Sequence, residues 1–255
     1  MLQVENISCR FGGLVALDNV SLEVKKKELV GLMGPNGAGK TTLFNIITGF
    51  ISPTSGKVYL KGEDITNLPP HLITRRGLAR TFQNVRVFEH LNVLQNVEVA
   101  VPEGERVGLL SALFPTSSSR HIKRYVKDRA YECLKLLGLE SFAKKDATSL
   151  TFGQQRLLGI ARAIASNPKI LLLDEPSAGL NQNETFFLSS AIKRICREGT
   201  SIFIIEHDID MLMDVAQRII VLDRGKKIAE GTPDKVREEE LVLQAYFGRR
   251  RRCLA

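Results

Sequence analysis

The stretch Gly34, Pro35, Asn36, Gly37, Ala38, Gly39, Lys40, Thr41 and Thr42 has the residue types and spacing of a phosphate cradle, G-x-x-x-x-G-K-[ST]. Its glycines let the backbone curl so that successive N–H groups point into one concavity, and the helix that follows adds its own N-terminal donors. Lys40 then brings a point charge to the β- and γ-phosphates, and the Thr41 hydroxyl holds Mg²⁺. Two acids, Asp174 and Glu175, follow the apolar run Ile170–Leu173. A carboxylate there is costly unless it meets a cation, which suits Asp174 to the metal. Its neighbour Glu175 is suited to orient or deprotonate the water that attacks the γ-phosphate. His207 follows a second apolar run, Ser201–Ile205, and is placed to donate a hydrogen bond as charge develops on the γ-phosphate. Gln83 ends a third strand-like stretch, from where it reaches Mg²⁺ or the attacking water. A lone histidine or a polar strand end is usually structural. The company of the phosphate cradle is what turns these positions toward chemistry.

These groups need elements to position them. Leu29–Met33 reads as a buried strand feeding the cradle, and Thr41–Thr48 as a helix stopped by Gly49. Before them, Met1–Val24 alternates short apolar runs around a Gly12–Gly13 turn, a small β unit. Phe11 lies beside that turn, where it is either core or a ring that stacks on a purine. After the cradle come a strand at Lys57–Leu60, a short helix beyond Pro69–Pro70 and a strand over Leu78–Asn84. From Val85 to Ser149 strand patterns give way to helix-like stretches, Leu91–Val101 and Ile122–Leu139, with an apolar knob at Gly108–Phe114 that covers the insertion's own core. Leu150–Arg156 opens a helix with Leu157, Ile160, Ala161, Ile164 and Ala165 on one face, stopped by Asn167–Pro168. A helix over Glu184–Arg197 points Phe187, Leu188, Ala191, Ile192 and Ile195 inward. Strands at Arg218–Leu222 and Lys226–Ala229 and a last helix around Val236–Phe247 follow. Apolar strands ending in polar groups, alternating with helices, describe an open α/β sheet with its site at the strands' carboxyl ends.

Composition narrows the classes. The 255 residues, 44% of them hydrophobic, suffice for one large core or a core with a subdomain. No segment is free of charge for the roughly 18 or more residues a membrane span needs. The first residues lack a basic n-region and a cleavage site, so the expectation is a soluble chain kept in the cytosol. Cys9, Cys133, Cys196 and Cys253 form no C-x-x-C pair and no metal-ligand spacing, and read as reduced thiols. The net charge of +8 owes half its size to Arg249–Arg252. Without an aromatic-studded basic stripe, no nucleic-acid partner is expected. Arg120, Lys123, Arg124, Lys127 and Arg129 alternate with Ile122, Val126 and Ala130 and belong on the wet face of an amphipathic helix.

The segment Leu150, Thr151, Phe152, Gly153, Gln154 resembles the L-S-G-G-Q signature of the ATP-binding subunits of ABC transporters. The resemblance runs from Leu2 to about Gly248 in the family's order: Phe11, the phosphate loop, Gln83, the signature, Asp174–Glu175, Ser177–Asn181 and His207. It implies a P-loop NTPase core of the ABC ATPase type, carrying an antiparallel β subdomain and a helical subdomain at about 85–166. The whole is one domain over 1–248, followed by a basic tail at 249–255. It also implies ATP and Mg²⁺ as cofactors, and a second ABC ATPase, a copy or a paralogue, whose signature caps the ATP held by this loop. Leu150, Thr151, Gly153 and Gln154 are then nucleotide contacts. A Thr hydroxyl, a Gly backbone and a helix N-terminus agree with another anion site. The chain departs from the pattern at Phe152, which replaces a Gly, at Asn181, where Asp is common, and at Phe11, where Tyr is usual.

Within that family, Arg10–Leu17, Arg80–Arg86 and the aromatic-containing signature followed by Gln155–Arg156 look like the branched-chain amino-acid importers of the LIV type. Urea or amide importers are the nearest rivals. The resemblance implies two membrane permease subunits as partners, docked near Thr81–Glu89 at the cytoplasmic face, with an external solute-binding protein acting indirectly. A soluble ABC protein acting on ribosomes or DNA is disfavoured by the single cassette and short insertion. A small-molecule kinase leaves Leu150–Gln154 unexplained.

Overall fold

A computed structural model describes residues 1–82, 86–102 and 117–247. The tail, the knob at Gly108–Phe114 and Gln83 lie outside the described residues. Contacts divide the chain into two units: Met1–Arg80 with Lys169–Glu175 and Ile192–Ala255, and Thr81–Pro168 with Pro176–Ala191.

The first unit holds two sheets. β1 (Leu2–Phe11), β2 (Leu14–Val24), β4 (Ser55–Leu60) and β5 (Glu63–Asp64) form an antiparallel sheet in the order β2-β1-β4-β5. The other sheet has six strands in the order β10-β9-β3-β8-β7-β6. It comprises β3 (Leu29–Met33), β6 (Leu78–Arg80), β7 (Ile170–Asp174), β8 (Ser201–Ile205), β9 (Arg218–Asp223) and β10 (Lys226–Gly231). All its neighbours are parallel except β10, which returns antiparallel on β9. β3, β7 and β8 are buried along their whole length, which is why they read as unbroken apolar runs rather than alternating ones. α1 (Lys40–Ile47) packs its apolar side into the same core. Phe44 meets Phe203 of β8 there with ring centroids 5.0 Å apart, in a cluster that takes in Val4, Leu22, Val58, Leu172 and Leu222. α2 (Pro70–Arg75), α7 (Ile209–Val215), α8 (Pro233–Glu238) and α9 (Glu240–Phe247) complete this unit.

The second unit is helical: α3 (Val93–Glu98), α4 (Ser117–Leu136), α5 (Phe152–Ala165) and the first turns of α6 (Gln182–Arg197). Val93, Val97, Val126, Ala130, Leu134, Leu158 and Ala161 make its core. A capping box fixes where α3 starts, with Asn92 and Gln95 satisfying each other's backbone donors. The helix is therefore shorter than the apolar pattern Leu91–Val101 suggests. α4 begins earlier than Ile122 and ends at Leu136, before Gly138 at φ +66°. Arg120, Lys123, Arg124 and Lys127 are exposed as their pattern requires, whereas Arg129 is half-buried and donates to the Ile164 carbonyl at 3.3 Å.

Other boundaries shift for similar local reasons. β6 stops at Arg80 instead of running on toward Asn84. The last helical stretch is two helices, because Glu239 takes an extended backbone at φ −68°, ψ 120°. On α6, Leu188, Ala191, Ile192 and Ile195 are buried, but Phe187 is 40% exposed, its ring lying against Gly138.

Candidate functional site

The loop between β3 and α1 is shaped by backbone that only glycine adopts without cost. Gly34 has φ +153° and Gly39, the N-cap of α1, has φ +100°. A Cβ on Gly34 would lie 2.1 Å from the Leu222 carbonyl oxygen, and one on Gly39 2.6 Å from that of Ala16. Neither position admits a side chain. The loop is braced by the turn after β9, where the Gly225 N–H donates to the Ala38 carbonyl at 3.0 Å, and internally by Ala38 N–H to Pro35 O at 3.1 Å. Asn36, Gly37 and Thr41 are exposed, Thr42 is half-buried and Ala38 is buried. No side chain caps the N-terminus of α1. The helix thus presents its first-turn backbone donors to whatever occupies the concavity.

Lys40 crosses that concavity. It is only 6% exposed, and its Nζ donates to the carbonyls of Gly34 at 2.7 Å and Pro35 at 3.2 Å. Burial pulls its pKa below the usual lysine range, opposed by the charges of Glu175 and Asp174. A buried ammonium facing two acids and held by two carbonyls is a group that gains when polyanionic phosphate arrives.

The acids stand at the carboxyl end of β7, next to β8, with Asp174 paired in register to Ile205. Asp174 is 8% exposed and accepts from Arg80 Nη2 at 2.8 Å. The cation that its position demands is, within the protein, a guanidinium. Glu175 has φ +48°, a left-handed conformation that costs a non-glycine residue about 1–3 kcal/mol and gathers at functional sites. Its N–H donates to Ile205 O at 2.9 Å, and its Oε1 lies 2.8 Å from His207 Nε2. His207 therefore grips Glu175 directly, a partnership the sequence did not announce. Neighbouring Glu206 is 3% exposed and its Oε2 accepts from the His207 N–H at 3.2 Å.

Parallel strands β3, β7 and β8 thus bring the loop, Lys40, Asp174, Glu175 and His207 to one end of one sheet. Among the described residues no cluster of three or more His, Cys, Asp or Glu could hold a metal by itself. Thr41 and Asp174 offer oxygen donors, the kind that a hard cation takes. Phe11 is 48% exposed at the β1–β2 turn, so of its two fates it is not core.

The signature segment belongs to the second unit. Thr151 caps α5: its Oγ1 accepts from the Gln154 N–H at 3.3 Å while its own N–H donates to Gln154 Oε1 at 3.1 Å. The cap uses an oxygen lone pair of Thr151 and leaves its O–H proton to donate. Leu150 is buried beneath, and its carbonyl accepts from Gln155 Nε2. Gly153 is buried against Leu180 and Glu184, so its lack of a side chain is a packing requirement. Phe152 is 58% exposed over the Arg156 guanidinium at 5.3 Å. Asn181 and Glu184 form another reciprocal cap at the start of α6.

Two residues at the loop were not assigned a role from sequence. Arg80 sits in a motif whose importance was visible but whose contacts were not. Tyr246 of α9 turns its hydroxyl to the Gly34 N–H, and burial raises its pKa against that contact. A lone basic residue ending an apolar strand signals the first. Nothing local signals the second.

The fold and this strand-end constellation define a nucleotide-binding ATPase cassette. The ABC transporter family pattern matches residues 17–178, and the branched-chain amino acid ATP-binding cassette transporter pattern matches residues 226–251. The chain is 42% identical over 249 residues to the high-affinity branched-chain amino acid transport ATP-binding protein BraF of Pseudomonas aeruginosa, covering 97% of this chain and 98% of that one. It is 43% identical over 249 residues, with the same coverage, to LivG of Escherichia coli K12, which carries the same description. Among solved structures, a nucleotide-free ATP-binding cassette from an ABC transporter superposes with TM-score 0.83 at 32% identity, covering 97% of this chain and 99% of that one. An ADP-bound conformation of such a cassette gives 0.82 at 32% identity, covering 97% and 98%. The chain belongs to the ABC transporter ATPases, in the group of branched-chain amino acid ATP-binding cassettes.

Proposed function

We propose that this chain hydrolyses ATP to drive uptake of branched-chain amino acids. It does so at the cytoplasmic face of the membrane, docked on two permease subunits and paired with a second ABC ATPase, a paralogue or a copy. An external solute-binding protein acts at one remove. The observation that carries the reading is the near-full-length similarity to BraF and LivG, extended through the C-terminal match at 226–251. That match supports a branched-chain solute over urea or an amide. Among the described residues no helix is long and apolar enough to cross a membrane.

In this reading the Gly34–Thr42 loop and Lys40 bind the phosphates, and Phe11 stacks on the base. Thr41, Asp174 and Gln83 would hold Mg²⁺, which neutralises charge on the β- and γ-oxygens when bound. Glu175, gripped by His207, takes the proton of the attacking water. His207, whose Nε2 lies against Glu175, would steady the charge that develops on the γ-phosphate. Leu150, Thr151, Gly153 and Gln154 offer the Thr151 hydroxyl and the α5 N-terminus to the nucleotide of the opposing ATPase. One phosphate loop leaves the γ-phosphate open on a side, and such a cap closes it.

Copurification from native membranes through an N-terminal tag tests the assignment. Two hydrophobic permeases and a second ATPase are expected, with leucine, isoleucine or valine uptake lost when the chain is deleted. Recovery of ribosomes or nucleic acid instead would overturn transport. Docking is proposed at Thr81–Glu89, where Phe82 and Phe88 expose 49% and 46% of their surface. Arg162 contacts the Arg86–Phe88 end of this segment, donating to the Arg86 carbonyl at 2.7 Å and lying 4.5 Å from the Phe88 ring centroid. Reversing charge at Arg86 and Glu89 should abolish permease-stimulated hydrolysis. Basal hydrolysis by the free chain should stay within roughly twofold, because exposed side chains contribute little to stability. Loss of both rates would point to misfolding and remove the docking role.

A further inference from the structure

The chain leaves the first unit after Arg80, at the end of β6, and again after Glu175, one residue beyond β7. The two exits are tied to each other. Arg80 and Asp174 are paired at 2.8 Å with side chains only 6% and 9% exposed. The other arm of the same guanidinium, Nη1, donates to Asn45 Oδ1 at 2.7 Å and Thr48 Oγ1 at 3.0 Å. Its carbon lies 5.7 Å from the Phe44 ring centroid. One side chain therefore joins the acid at the end of β7 to α1, the helix that begins with Lys40 and Thr41.

A buried ion pair is weak grounds for stability, since desolvating both charges offsets most of their attraction and an apolar pair of like volume often does as well. Orientation is a different matter. The planar fork of arginine fixes the directions of its bonds, which a lysine in the same place does not. We propose that Arg80 is a positioning residue for the Mg²⁺-nucleotide site: it turns the Asp174 carboxylate and holds it in register with α1, so that the acid and Thr41 face one metal ion. This rests on the Mg²⁺-ATP reading given above.

Binding of a fluorescent ADP analogue to the full chain, titrated with Mg²⁺ and repeated in EDTA, tests the role. Groups that orient metal ligands typically contribute roughly 10–100-fold to metal affinity, so Arg80→Gln should raise the half-saturating Mg²⁺ by about tenfold or more. Arg80→Lys and Asn45→Ala should raise it several-fold. Affinity in EDTA should stay at the wild-type value for all three. An unchanged Mg²⁺ requirement in folded variants overturns the proposal. So does a lowered one, which would make Arg80 a competitor of the metal, and so does an equal loss with and without Mg²⁺, which would make its role structural. Should the Arg80 variants fail to fold, Asn45→Ala decides alone, because it keeps the ion pair and removes the shortest of the bonds from Arg80 to α1, leaving the one to Thr48. A wild-type chain whose nucleotide affinity ignores Mg²⁺ would refute the metal-nucleotide reading itself, and that result is distinct from all the others.

Discussion

Glu175→Gln should bind ATP as the parent chain does and hydrolyse it roughly 10²–10⁴-fold more slowly, the usual contribution of a positioned general base. The exchange is nearly isosteric. A glutamine Oε1 still accepts from His207 Nε2, now 2.8 Å from the glutamate oxygen, so the side chain keeps its place and loses only its basicity. The Glu175 N–H bond to Ile205 O, made by the backbone at φ +48°, does not involve the side chain and survives the change. Nucleotide affinity and phosphate release measured on the same preparation separate binding from chemistry. Turnover near the parental rate would remove Glu175 as the base. A His207→Ala chain gives the second reading of the same geometry: Glu175 loses its grip there, and turnover falls while affinity holds.

The cradle was legible in the sequence because phosphate binding needs glycine at fixed steps, and glycine at Gly34 and Gly39 has no substitute. Asp174 and Glu175 were legible because strands buried on both faces, such as Ile170–Asp174, read as apolar runs, and whatever polar residue ends such a run is exposed to view. What the sequence hid was pairing across distance. Arg80 takes its meaning from Asn45, Thr48 and Asp174, which stand 35, 32 and 94 positions away. The grip of His207 on Glu175 joins the ends of two strands that only the sheet order makes neighbours. Boundaries failed for a smaller reason. Caps such as Asn92 with Gln95, or a single extended residue such as Glu239, override apolar periodicity within one turn. Phe11 was ambiguous because strand alternation in β1 is interrupted by register shifts, and only the paired strand decides which face the ring takes.

Replacing Lys40 by Met is the second change with a large expected effect, and its two consequences have opposite sign. Lys40 is buried, and desolvation is the leading influence on its pKa, so in the nucleotide-free chain its charge works against folding. A Met of similar length keeps the packing and removes that cost. The acids it faced keep their own partners, Asp174 on Arg80 and Glu175 on His207. Without nucleotide, Lys40→Met is therefore expected to melt at a higher temperature than the parent. The sign with pH follows from linkage. In the parent the folded pKa lies below that of the unfolded lysine, so the unfolded chain binds more protons between the two values and parental stability rises with pH there. The advantage of the Met variant should be full below the lowered pKa of the folded chain and shrink as pH climbs from there toward the ordinary lysine range. With Mg²⁺-ATP the order reverses. Hydrogen bonds to a charged group contribute about 1.5–3 kcal/mol, so losing the ammonium should weaken nucleotide binding by roughly 10–100-fold and shrink the ligand-induced rise in melting temperature correspondingly. Melting curves for both chains, with and without Mg²⁺-ATP, across pH, check each part. A Met variant less stable than the parent in the absence of nucleotide would show that Lys40 holds the loop together through its bonds to Gly34 and Pro35. A variant stabilised by ATP as strongly as the parent would show that the phosphates lie elsewhere.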